Sequence, residues 1–283
     1  MEIASELITP CVHATEIDLV CDLARRAGKL ALEMRAGVAV MEKAPGDVVT
    51  AADKAVSRLI VSELSERFPG DLIVSEEGDR QQASSNRTWL IDPIDGTDHY
   101  VKNSKQFSVM IGVLFEGYAG YGWVYKPVED MLYFGGPGLG AFRQIGESIP
   151  EPLAAAEPLA GREYKRLIIG RRDARMRPWL ERMPDVTLRQ VGSMGVKVSW
   201  ILEDRADLVA QMHGRMSVWD TCAPAAIALG AGLEVGSGND LQPTLPFPKT
   251  FEPDTFVQSF PIVIGVPGTL KWARDFLLHE PAQ

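Results

Sequence analysis

The sequence predicts a mixed fold that combines α-helices with β-strands along its 283 residues. Apolar side chains at helical spacing over residues 17–34 indicate an amphipathic helix. Residues 107–115 and 118–125 are rich in apolar and aromatic side chains and indicate two strands joined by a short turn, with a third strand at 131–134. Residues 167–170 indicate another strand in the second half. This length is enough for one large domain or two medium ones.

A second helix is predicted to begin at a capping box. Thr50 and Asp53 stand three residues apart, and apolar spacing continues from there to Phe68, where a Pro-Gly pair ends the helix. Residues 48–49 look extended, so Asp47 is expected just outside the helix start. Asp47 is open to two interpretations, a plain turn residue or a carboxylate of a site.

A short buried strand is predicted over residues 72–75, and it ends in two acids, Glu76 and Glu77. Ligand sites of α/β folds gather at the carboxyl ends of strands, although two acids after a strand also fit a solvated loop. Residues 79–87 are polar and predict a mobile surface loop.

The central stretch, residues 89–97, reads WLIDPIDGT. Its apolar start predicts a buried strand that ends at Asp92, because the proline that follows cannot continue a hydrogen-bonded ladder. Asp92 and Asp95 lie across a tight turn and can converge on one point, as the oxygen ligands of Mg2+ do. A helix starting at Thr97 would direct free N–H groups at an anion, and Gly96 would let a ligand approach the backbone. The alternative is a capped turn with two solvated aspartates.

Charged residues of the second half are the remaining candidates for a site. Arg171 and Arg172 follow a strand and could meet a phosphate, although such a pair more often faces solvent. Lys197 is expected near the start of a helix. Asp220 is expected to be the N-cap of a helix that follows it, and this role alone would explain it structurally. His213 is interpreted as a loop residue.

Three other segments are assigned structural roles. The glycines between residues 135 and 140 predict a turn rather than a phosphate loop, because no Lys-Ser/Thr pair follows them. Residues 147–161, with three prolines, are the best linker candidate. Residues 267–278 predict a closing helix.

Composition excludes several classes of function. The net charge of −9 argues against binding nucleic-acid polymers, which need basic patches. Apolar runs stay below the roughly 18 residues that span a bilayer, so we expect no membrane segment. Residues 1–10 have no basic region followed by an apolar core, so we expect no secretory signal. Cys11, Cys21 and Cys222 are an odd count that fits free thiols in a reducing cytoplasm.

One acid or more follows each of several predicted β-elements, and together they form a pattern. Ordinary protein cores do not collect unpaired carboxylates. A shared site for a divalent metal is therefore the simplest explanation for five acids: Asp47, Glu76, Asp92, Asp95 and Asp220.

These motifs resemble the lithium-sensitive, Mg2+-dependent sugar phosphatase superfamily. The superfamily includes inositol monophosphatases, 3'(2'),5'-bisphosphate nucleotidases and fructose-1,6-bisphosphatases. The resemblance rests on four segments and extends over nearly the whole chain: residues 47–53, 75–77, 89–97 and 219–220. It implies a fold of the α+β and α/β classes, the layered α-β-α-β-α sugar phosphatase fold. Residues 1–150 would form an α+β half with most metal ligands, and residues 160–283 an α/β half that supplies Asp220 and substrate contacts.

The resemblance also implies a role for each matching residue. One Mg2+ ion would be held by Glu76, Asp92, the Ile94 carbonyl and Thr97, and a second by Asp92, Asp95 and Asp220. A third, weaker ion would sit near Glu76. Asp47 and Thr97 would orient and deprotonate the attacking water, and the Gly96 and Thr97 amides would hold the phosphate. The resemblance further implies a homodimer and inhibition by Li+.

Several details favour the bisphosphate nucleotidases, which act on 3'-phosphoadenosine 5'-phosphate, over the inositol monophosphatases. A second phosphate needs a cation, and Lys197, Arg171 and Arg172 are candidates. An inositol phosphate would instead need an acid shortly before the Trp-Asp pair, and none stands between Ala210 and Trp219. Further features lean the same way: Ser75, residues 102–103, 125–127, 192–197 and 219–225. Asp98 is unusual in either branch. Inositol-1-monophosphatase remains the alternative, and a metal-binding regulatory module without turnover is a further one.

Overall fold

The computed structural model describes residues 11–36, 40–44, 47–78, 80–81, 85–153, 156–212, 216–238, 240–243, 256–258 and 261–277. Its α-helices are α1 (Ala14–Met34), α2 (Ala51–Arg67), α3 (Thr97–Val101), α4 (Arg171–Met176), α5 (Met194–Leu202), α6 (Val218–Gly230) and α7 (Thr269–Phe276). Its strands are β1 (Val40–Ala44), β2 (Asp47–Thr50), β3 (Leu72–Ser75), β4 (Arg80–Gln81), β5 (Arg87–Asp95), β6 (Ser108–Phe115), β7 (Tyr118–Lys126), β8 (Met131–Gly136), β9 (Gly140–Ile145), β10 (Glu151–Pro152), β11 (Lys165–Ile169), β12 (Val186–Gln190), β13 (Leu208–Gln211), β14 (Met216–Ser217), β15 (Glu234–Ser237), β16 (Gln242–Pro243), β17 (Val257–Gln258) and β18 (Ile262–Gly265). A short 3-10 helix spans Pro178–Arg182. Among the residues that the structure describes, no helix has both the length and the apolar character to cross a membrane.

The first sheet has eight described strands in the order β10-β9-β8-β7-β6-β5-β3-β4. Its neighbouring strands are antiparallel except β3 and β5, which run parallel. Ser75 pairs with Ile91, so the carboxyl end of β3 lies beside the point where the regular part of β5 ends. Glu76 follows one of these ends and Asp92 lies next to the other, which brings two predicted ligands to one place.

The second sheet has six described strands in the order β12-β11-β13-β18-β15-β16. Strand β11 is parallel to both of its neighbours, and the pairs on the other side of β13 are antiparallel. Ile169 pairs with Ala210, so the carboxyl ends of β11 and β13 meet at one edge. Helix α4 begins beside this edge. Two short pairs, β1-β2 and β14-β17, lie outside the two large sheets.

The helices and sheets alternate in layers. Helices α1 and α2 pack on the outer face of the first sheet, around one apolar core. Helices α5 and α6 lie between the two sheets, within the largest core cluster. Helix α7 packs on the other face of the second sheet, around a third cluster. The predicted layered α-β-α-β-α arrangement is confirmed.

Helix α6 lies unusually close to the first sheet because two glycines face it. Gly112 in β6 and Gly122 in β7 pair across neighbouring strands. A Cβ atom on Gly112 would lie 2.9 Å from the backbone nitrogen of Ala223, and a Cβ on Gly122 would overlap the Ala223 backbone. The absence of side chains at these two positions lets the helix that carries Asp220 approach the strands beside β5.

Most predicted elements are present, with boundaries within a few residues. The capping box of α2 is confirmed, because the Thr50 hydroxyl accepts from the backbone nitrogens of Ala52 and Asp53 while Asp53 accepts from the Thr50 nitrogen. The strand at 167–170 and the helix at 267–278 are confirmed as β11 and α7. The linker segment 147–161 contains β10, which extends the edge of the first sheet.

The predicted end of the central strand at Asp92 was wrong. Strand β5 continues through Pro93 to Asp95. Its pairing with β6 is irregular between Asp92 and Asp95, and a bulge is a position where proline is tolerated because no ladder donor is needed there. The proline therefore interrupts the ladder without ending the strand.

Two turn and loop predictions were only partly right. Gly135 and Gly136 end β8, and Gly140 begins β9, so the turn itself is shorter than the glycine run suggested. Residues 80–81 within the predicted loop 79–87 form β4 against β3. Main-chain pairing to a neighbouring strand stabilised both segments despite their polar or glycine-rich composition.

Candidate active site

Asp92 is a buried carboxylate at the irregular end of β5. Asp92 is only 3% exposed, and its Oδ1 atom has no hydrogen-bond partner among the described residues. Burial raises the pKa of the Asp92 carboxyl well above its usual value, and the charges of Glu76, Asp95 and Asp220 raise it further. The predicted acids therefore lie within electrostatic reach of one another.

Asp95 is held by the start of helix α5, which comes from the second half of the chain. Its Oδ2 atom accepts from Ser193 Oγ at 2.5 Å, Gly195 N at 2.7 Å and Ser108 Oγ at 2.9 Å, and Oδ1 accepts from Met194 N at 2.9 Å. Each carboxylate oxygen has two lone-pair sites. Oδ1, with a single described donor, retains a lone pair that can face a cation.

Glu76 and Asp220 approach the same place from different elements. Glu76 follows β3, and its backbone nitrogen donates to the Ile91 carbonyl at 3.1 Å. Asp220 is the third residue of α6, and its Oδ2 atom accepts from the Ser217 backbone nitrogen at 2.9 Å. Burial raises the pKa of the Asp220 carboxyl, and the charge of Glu76 is the next cause.

The predicted N-cap role of Asp220 was wrong by three positions. Ser217 is the N-cap of α6, and Asp220 is the acid that completes its capping box. Because Val218 and Trp219 are already helical, the carboxylate lies one turn further into the helix than expected. The Ser-x-x-Asp spacing at 217–220 was the signal that could have identified this arrangement.

The donor set fits a hard cation. In the described ranges, no group of three or more histidine, cysteine or acidic side chains is arranged as a ready-made metal cluster. However, the unpartnered buried oxygen of Asp92 and the raised pKa values of Asp92 and Asp220 indicate negative charge that the surrounding protein does not neutralise. All of the atoms concerned are oxygens, which Mg2+ prefers.

Gly96 and Thr97 form the tight junction between β5 and α3. Gly96 has a φ of 91°, and a Cβ there would lie 2.9 Å from the Gln106 carbonyl oxygen, so only glycine fits without strain. The predicted helix start at Thr97 is confirmed. Thr97 Oγ1 lies 3.1 Å from the Ile94 carbonyl oxygen and 3.3 Å from Asp53 Oδ1.

Asp53 is a residue near the site that sequence reasoning assigned only to helix capping. It is 3% exposed, and burial raises the pKa of its carboxyl. Its charge is also one of those that raise the pKa of Asp92. The capping-box pattern gave a complete local explanation, and no local signal indicated the contact with Thr97.

Lys197 lies inside the protein beside the acidic group. It is 1% exposed, and its Nζ atom donates to Gln211 Oε1 at 2.8 Å. Burial lowers the pKa of the Lys197 ammonium to about 8, although the charges of Asp95, Asp173 and Asp220 act in the opposite direction. A nearby anion favours the charged form of a buried lysine, so the Lys197 ammonium would be stabilised by a bound anion.

Arg171 is placed differently from Lys197. Its guanidinium lies 3.1 Å from Asp98 Oδ2, and both side chains are 45% exposed. Lys102 also lies near Asp98, with 3.7 Å between Nζ and Oδ2. Arg172 is exposed on α4. The arginine pair therefore lies at the surface, and Arg171 already has an acidic partner there.

Two candidate residues lie wholly or partly outside the described structure. The backbone of Asp47 begins β2, three residues before Thr50, the N-cap of α2, and its carboxylate is outside what the structure describes. His213 is outside the described residues. Both remain predictions from the sequence.

Comparison with known proteins gives a consistent result. The family model described as "Inositol monophosphatase family" matches residues 14–251. The chain is 31% identical over 228 residues to the 3'(2'),5'-bisphosphate nucleotidase CysQ of Shigella flexneri. The aligned region covers 77% of this chain and 89% of that protein. It is 29% identical over 231 residues to inositol monophosphatase 1 of Sus scrofa. This aligned region covers 76% of this chain and 81% of that protein.

Solved structures share the fold. The extragenic suppressor protein suhB of Bartonella henselae superimposes with a TM-score of 0.77 over 95% of this chain and 100% of that one, at 20% identity. An inositol monophosphatase of Anabaena has a TM-score of 0.71 at 22% identity, over 94% of this chain and 98% of that one. At these identities the likeness concerns the fold alone, and it agrees with the layered arrangement described above.

Proposed function

The chain belongs to the inositol monophosphatase family and is a metal-dependent phosphatase, and on that premise we propose that it uses Mg2+ to hydrolyse 3'-phosphoadenosine 5'-phosphate to AMP and phosphate. The observation that carries the choice of substrate is the buried Lys197 ammonium beside the acidic group. A bisphosphate nucleotide presents two phosphates, one for the reaction and one that requires a cation. The inositol 1-phosphate alternative has a single phosphate.

In this proposal the carboxylates hold the metal and orient it. Glu76, Asp92 and the Ile94 carbonyl would hold one ion, and Asp92, Asp95 and Asp220 would hold a second. Bound Mg2+ ions supply charge neutralisation and lower the pKa of a bound water. The donor atoms are oxygens held by strand ends and helix starts, so their positions change little as charge develops on the substrate.

The remaining residues of the central stretch position the reacting groups. The amides of Gly96 and Thr97, at the start of α3, hold the phosphate that is transferred. Asp47 and Thr97 orient the attacking water and accept its proton. Phosphoryl transfer depends mostly on such positioning and on charge stabilisation, so no cysteine or histidine nucleophile is needed.

Lys197 is a better candidate than Arg171 for the second phosphate. The lysine is buried, and it donates to the neutral side chain of Gln211 while Asp95, Asp173 and Asp220 act on its charge from further away. Arg171 is half exposed and already faces Asp98. An exposed ion pair is worth little, whereas a desolvated charge–phosphate contact is worth roughly 1.5–3 kcal/mol.

The deciding experiment compares kcat/KM for 3'-phosphoadenosine 5'-phosphate and inositol 1-phosphate in the wild type, Lys197→Ala and Lys29→Ala. Lys29 is an exposed lysine on α1 and serves as the matched control. We expect the nucleotide to be the better substrate, and Lys197→Ala to lower its kcat/KM by about 10- to 100-fold. Preference for inositol 1-phosphate, or an equal loss on both substrates, would contradict the substrate assignment.

The cofactor proposal has its own test. Phosphate release should require Mg2+ and disappear with a chelator, and Li+ should inhibit while K+ at the same concentration does not. Full activity in concentrated lithium would count against the placement of the metal residues. Two or three ions per site are expected from the resemblance, and equilibrium titration with Mn2+ as a probe measures their number.

We also propose a homodimer in a reducing cytoplasm. Cys11, Cys21 and Cys222 are all free thiols, and Cys222 is buried, which suits a compartment that keeps thiols reduced. Sedimentation at micromolar concentration measures the assembly state, and a monomer alone would reject the dimer.

A further inference from the structure

Arg35 follows the last residue of helix α1, and its guanidinium binds the main chain that follows the Gly96–Thr97 junction. We infer that Arg35 is a positioning residue for the transferred phosphate, because it fixes the segment on which this junction rests. The inference rests on the proposed function, which assigns the Gly96 and Thr97 amides to that phosphate. Arg35 would act through the main chain and not by contact with the substrate.

Three carbonyl oxygens of the segment 99–104 accept hydrogen bonds from the Arg35 side chain. Nε donates to the Tyr100 carbonyl oxygen at 2.9 Å, and Nη2 donates to those of His99, at 3.4 Å, and of Ser104. A guanidinium carries five N–H donors in a planar fork, so it can bind several acceptors at once. Since two acceptors lie in α3 and the third lies in the loop after it, one side chain joins the helix to the loop.

Two aromatic rings hold the guanidinium in this position. Its central carbon lies 4.9 Å from the centroid of the Phe107 ring and 5.2 Å from that of the Tyr100 ring, and the two buried rings contact each other edge to face. The Tyr100 hydroxyl in turn donates to the Ala31 carbonyl oxygen of α1 at 2.7 Å. The end of α1 and helix α3 are therefore joined by contacts in both directions.

The segment that Arg35 binds is connected to Gly96 by two routes. The Gly96 carbonyl oxygen accepts from the backbone nitrogens of His99 at 2.8 Å and Tyr100 at 3.0 Å, the two helical residues whose own carbonyls bind Arg35. The loop after α3 returns to Gly96 at Gln106, whose carbonyl oxygen would lie 2.9 Å from a Cβ atom on Gly96. A shift of this segment would displace the junction, and a misplacement of about 1 Å in a reacting complex can cost on the order of 100-fold in rate.

Arg25 provides a matched control on the same helix. Its guanidinium lies 5.4 Å from the centroid of the Tyr125 ring, and its Nη1 atom lies 2.6 Å from Asp130 Oδ1. Like Arg35, it is a partly buried arginine of the α1 region that stacks on a tyrosine. Its described partners belong to β7 and to the turn after that strand, whereas those of Arg35 belong to α3 and its loop.

The test compares Arg35→Met with Arg25→Met at saturating Mg2+ and a phosphomonoester substrate. Methionine keeps an apolar stem over the rings but has no donor for the carbonyls. Both variants should unfold about 2–4 °C below the wild type. Arg35→Met should lower kcat by about 10- to 100-fold, because the junction loses its support. It should also weaken inhibition by inorganic phosphate several-fold, while Arg25→Met should stay close to the wild type in both measurements.

Arg35→Lys is the second variant, and it carries the same comparison if Arg35→Met does not fold. It keeps the positive charge, but an ammonium lacks the planar fork that reaches several carbonyls. Its kcat and its inhibition by phosphate should lie between those of Arg35→Met and the wild type. Equal losses of kcat at Arg35 and Arg25 would overturn the inference, and so would a loss at Arg35 with unchanged inhibition by phosphate.

Hydrogen–deuterium exchange separates failure of this inference from failure of the proposed function. The amides of residues 96–104 should exchange faster in Arg35→Met and at the wild-type rate in Arg25→Met. Unchanged exchange in Arg35→Met would overturn the inference, whatever the protein hydrolyses. If the wild type hydrolyses no phosphomonoester, the proposed function fails, and calorimetric binding of inorganic phosphate becomes the second measurement. Weaker binding in Arg35→Met alone would then support the inference, and equal binding in all the proteins would overturn it.

Discussion

Helices α2 and α6 both begin with a capping box, but the acids of the two boxes have different surroundings. In each helix a hydroxyl residue is the N-cap and an aspartate is the third helical residue, Thr50 with Asp53 and Ser217 with Asp220. Asp53 is buried and its second oxygen meets Thr97. Asp220 is half buried and lies within electrostatic reach of Glu76 and Asp95.

The difference shows how one motif can serve a helix and a site together. A capping box needs only one carboxylate oxygen, so the other can act elsewhere. Burial raises the pKa of both acids, but neighbouring charges contribute at Asp220, while hydrogen bonds to Thr50 and Thr97 lower the pKa at Asp53. We interpret the acid of the Asp220 capping box as a negative charge for metal binding. We interpret the acid of the Asp53 capping box as a hydrogen-bond acceptor that positions Thr97.

Removal of the charge at Asp220 should have the largest effect. Asp220→Asn keeps an oxygen for the Ser217 nitrogen but removes a proposed metal ligand, so kcat/KM should fall roughly a thousandfold or more. Mg2+-dependent phosphate release measures it, with Ser217→Ala as a control that disturbs the cap alone. Near-normal turnover in Asp220→Asn would remove the distinction between the two boxes.

Lengthening the two acids should separate capping from function. Glutamate is the usual acid of a capping box, so Asp220→Glu and Asp53→Glu should leave the unfolding temperature within about 2 °C of the wild type. The extra methylene displaces the second oxygen, and we expect losses of about 100-fold for Asp220→Glu and about 10-fold for Asp53→Glu. Calorimetry and steady-state kinetics on the same samples check both values.

The pH dependence of stability should report the raised pKa values of the buried acids, and its reversal by Mg2+ should distinguish the two capping boxes. A carboxyl with a raised pKa in the folded state binds its proton more tightly there than in the unfolded chain. Its contribution to stability is present below about pH 4 and is lost as pH rises through the raised pKa of Asp92 and Asp220. The chelator-treated protein should therefore lose stability as pH rises from about 4 to neutrality.

Mg2+ should reverse this loss at neutral pH. At about 100 times its dissociation constant it should raise the unfolding temperature by about 5 °C. Asp220→Asn should abolish the rise and Asp53→Asn should retain most of it. Differential scanning calorimetry with and without chelator measures the rise in unfolding temperature. An equal rise in both variants would contradict the proposal that Asp220 binds metal and Asp53 does not.

Loss of either capping hydroxyl should have the smallest effect. Thr50→Ala and Ser217→Ala should each reduce the free energy of unfolding by about 1 kcal/mol. Chemical denaturation monitored by circular dichroism measures both changes. A much larger loss at one helix would indicate that its N-cap does more than begin the helix.

The parts of the site that could be predicted from sequence are those with a local cause. The central stretch combines an apolar strand, two acids and a glycine within nine residues, and the structure has them at the junction of β5 and α3. The box at Thr50 and Asp53 was likewise visible in four residues. The same four-residue signal is present at Ser217 and Asp220.

The parts that could not be predicted depend on pairs far apart in the chain. Asp95 receives its backbone donors from Met194 and Gly195, 99 and 100 residues later. The Thr97 hydroxyl meets Asp53 across 44 residues. The bulge that lets β5 continue through Pro93 depends on pairing with β6. Such contacts depend on how the layers pack, and no short sequence pattern indicates them.

The hold of helix α5 on Asp95 has a consequence for how the protein folds. Because the donors come from the second half of the chain, the acid reaches its final position only after both sheets have formed and docked. Closing so long a loop is slow compared with forming local turns, which places this step late in folding. Regain of activity during refolding should therefore lag behind the recovery of far-ultraviolet circular dichroism, and enzymatic turnover would report completed docking of the two sheets.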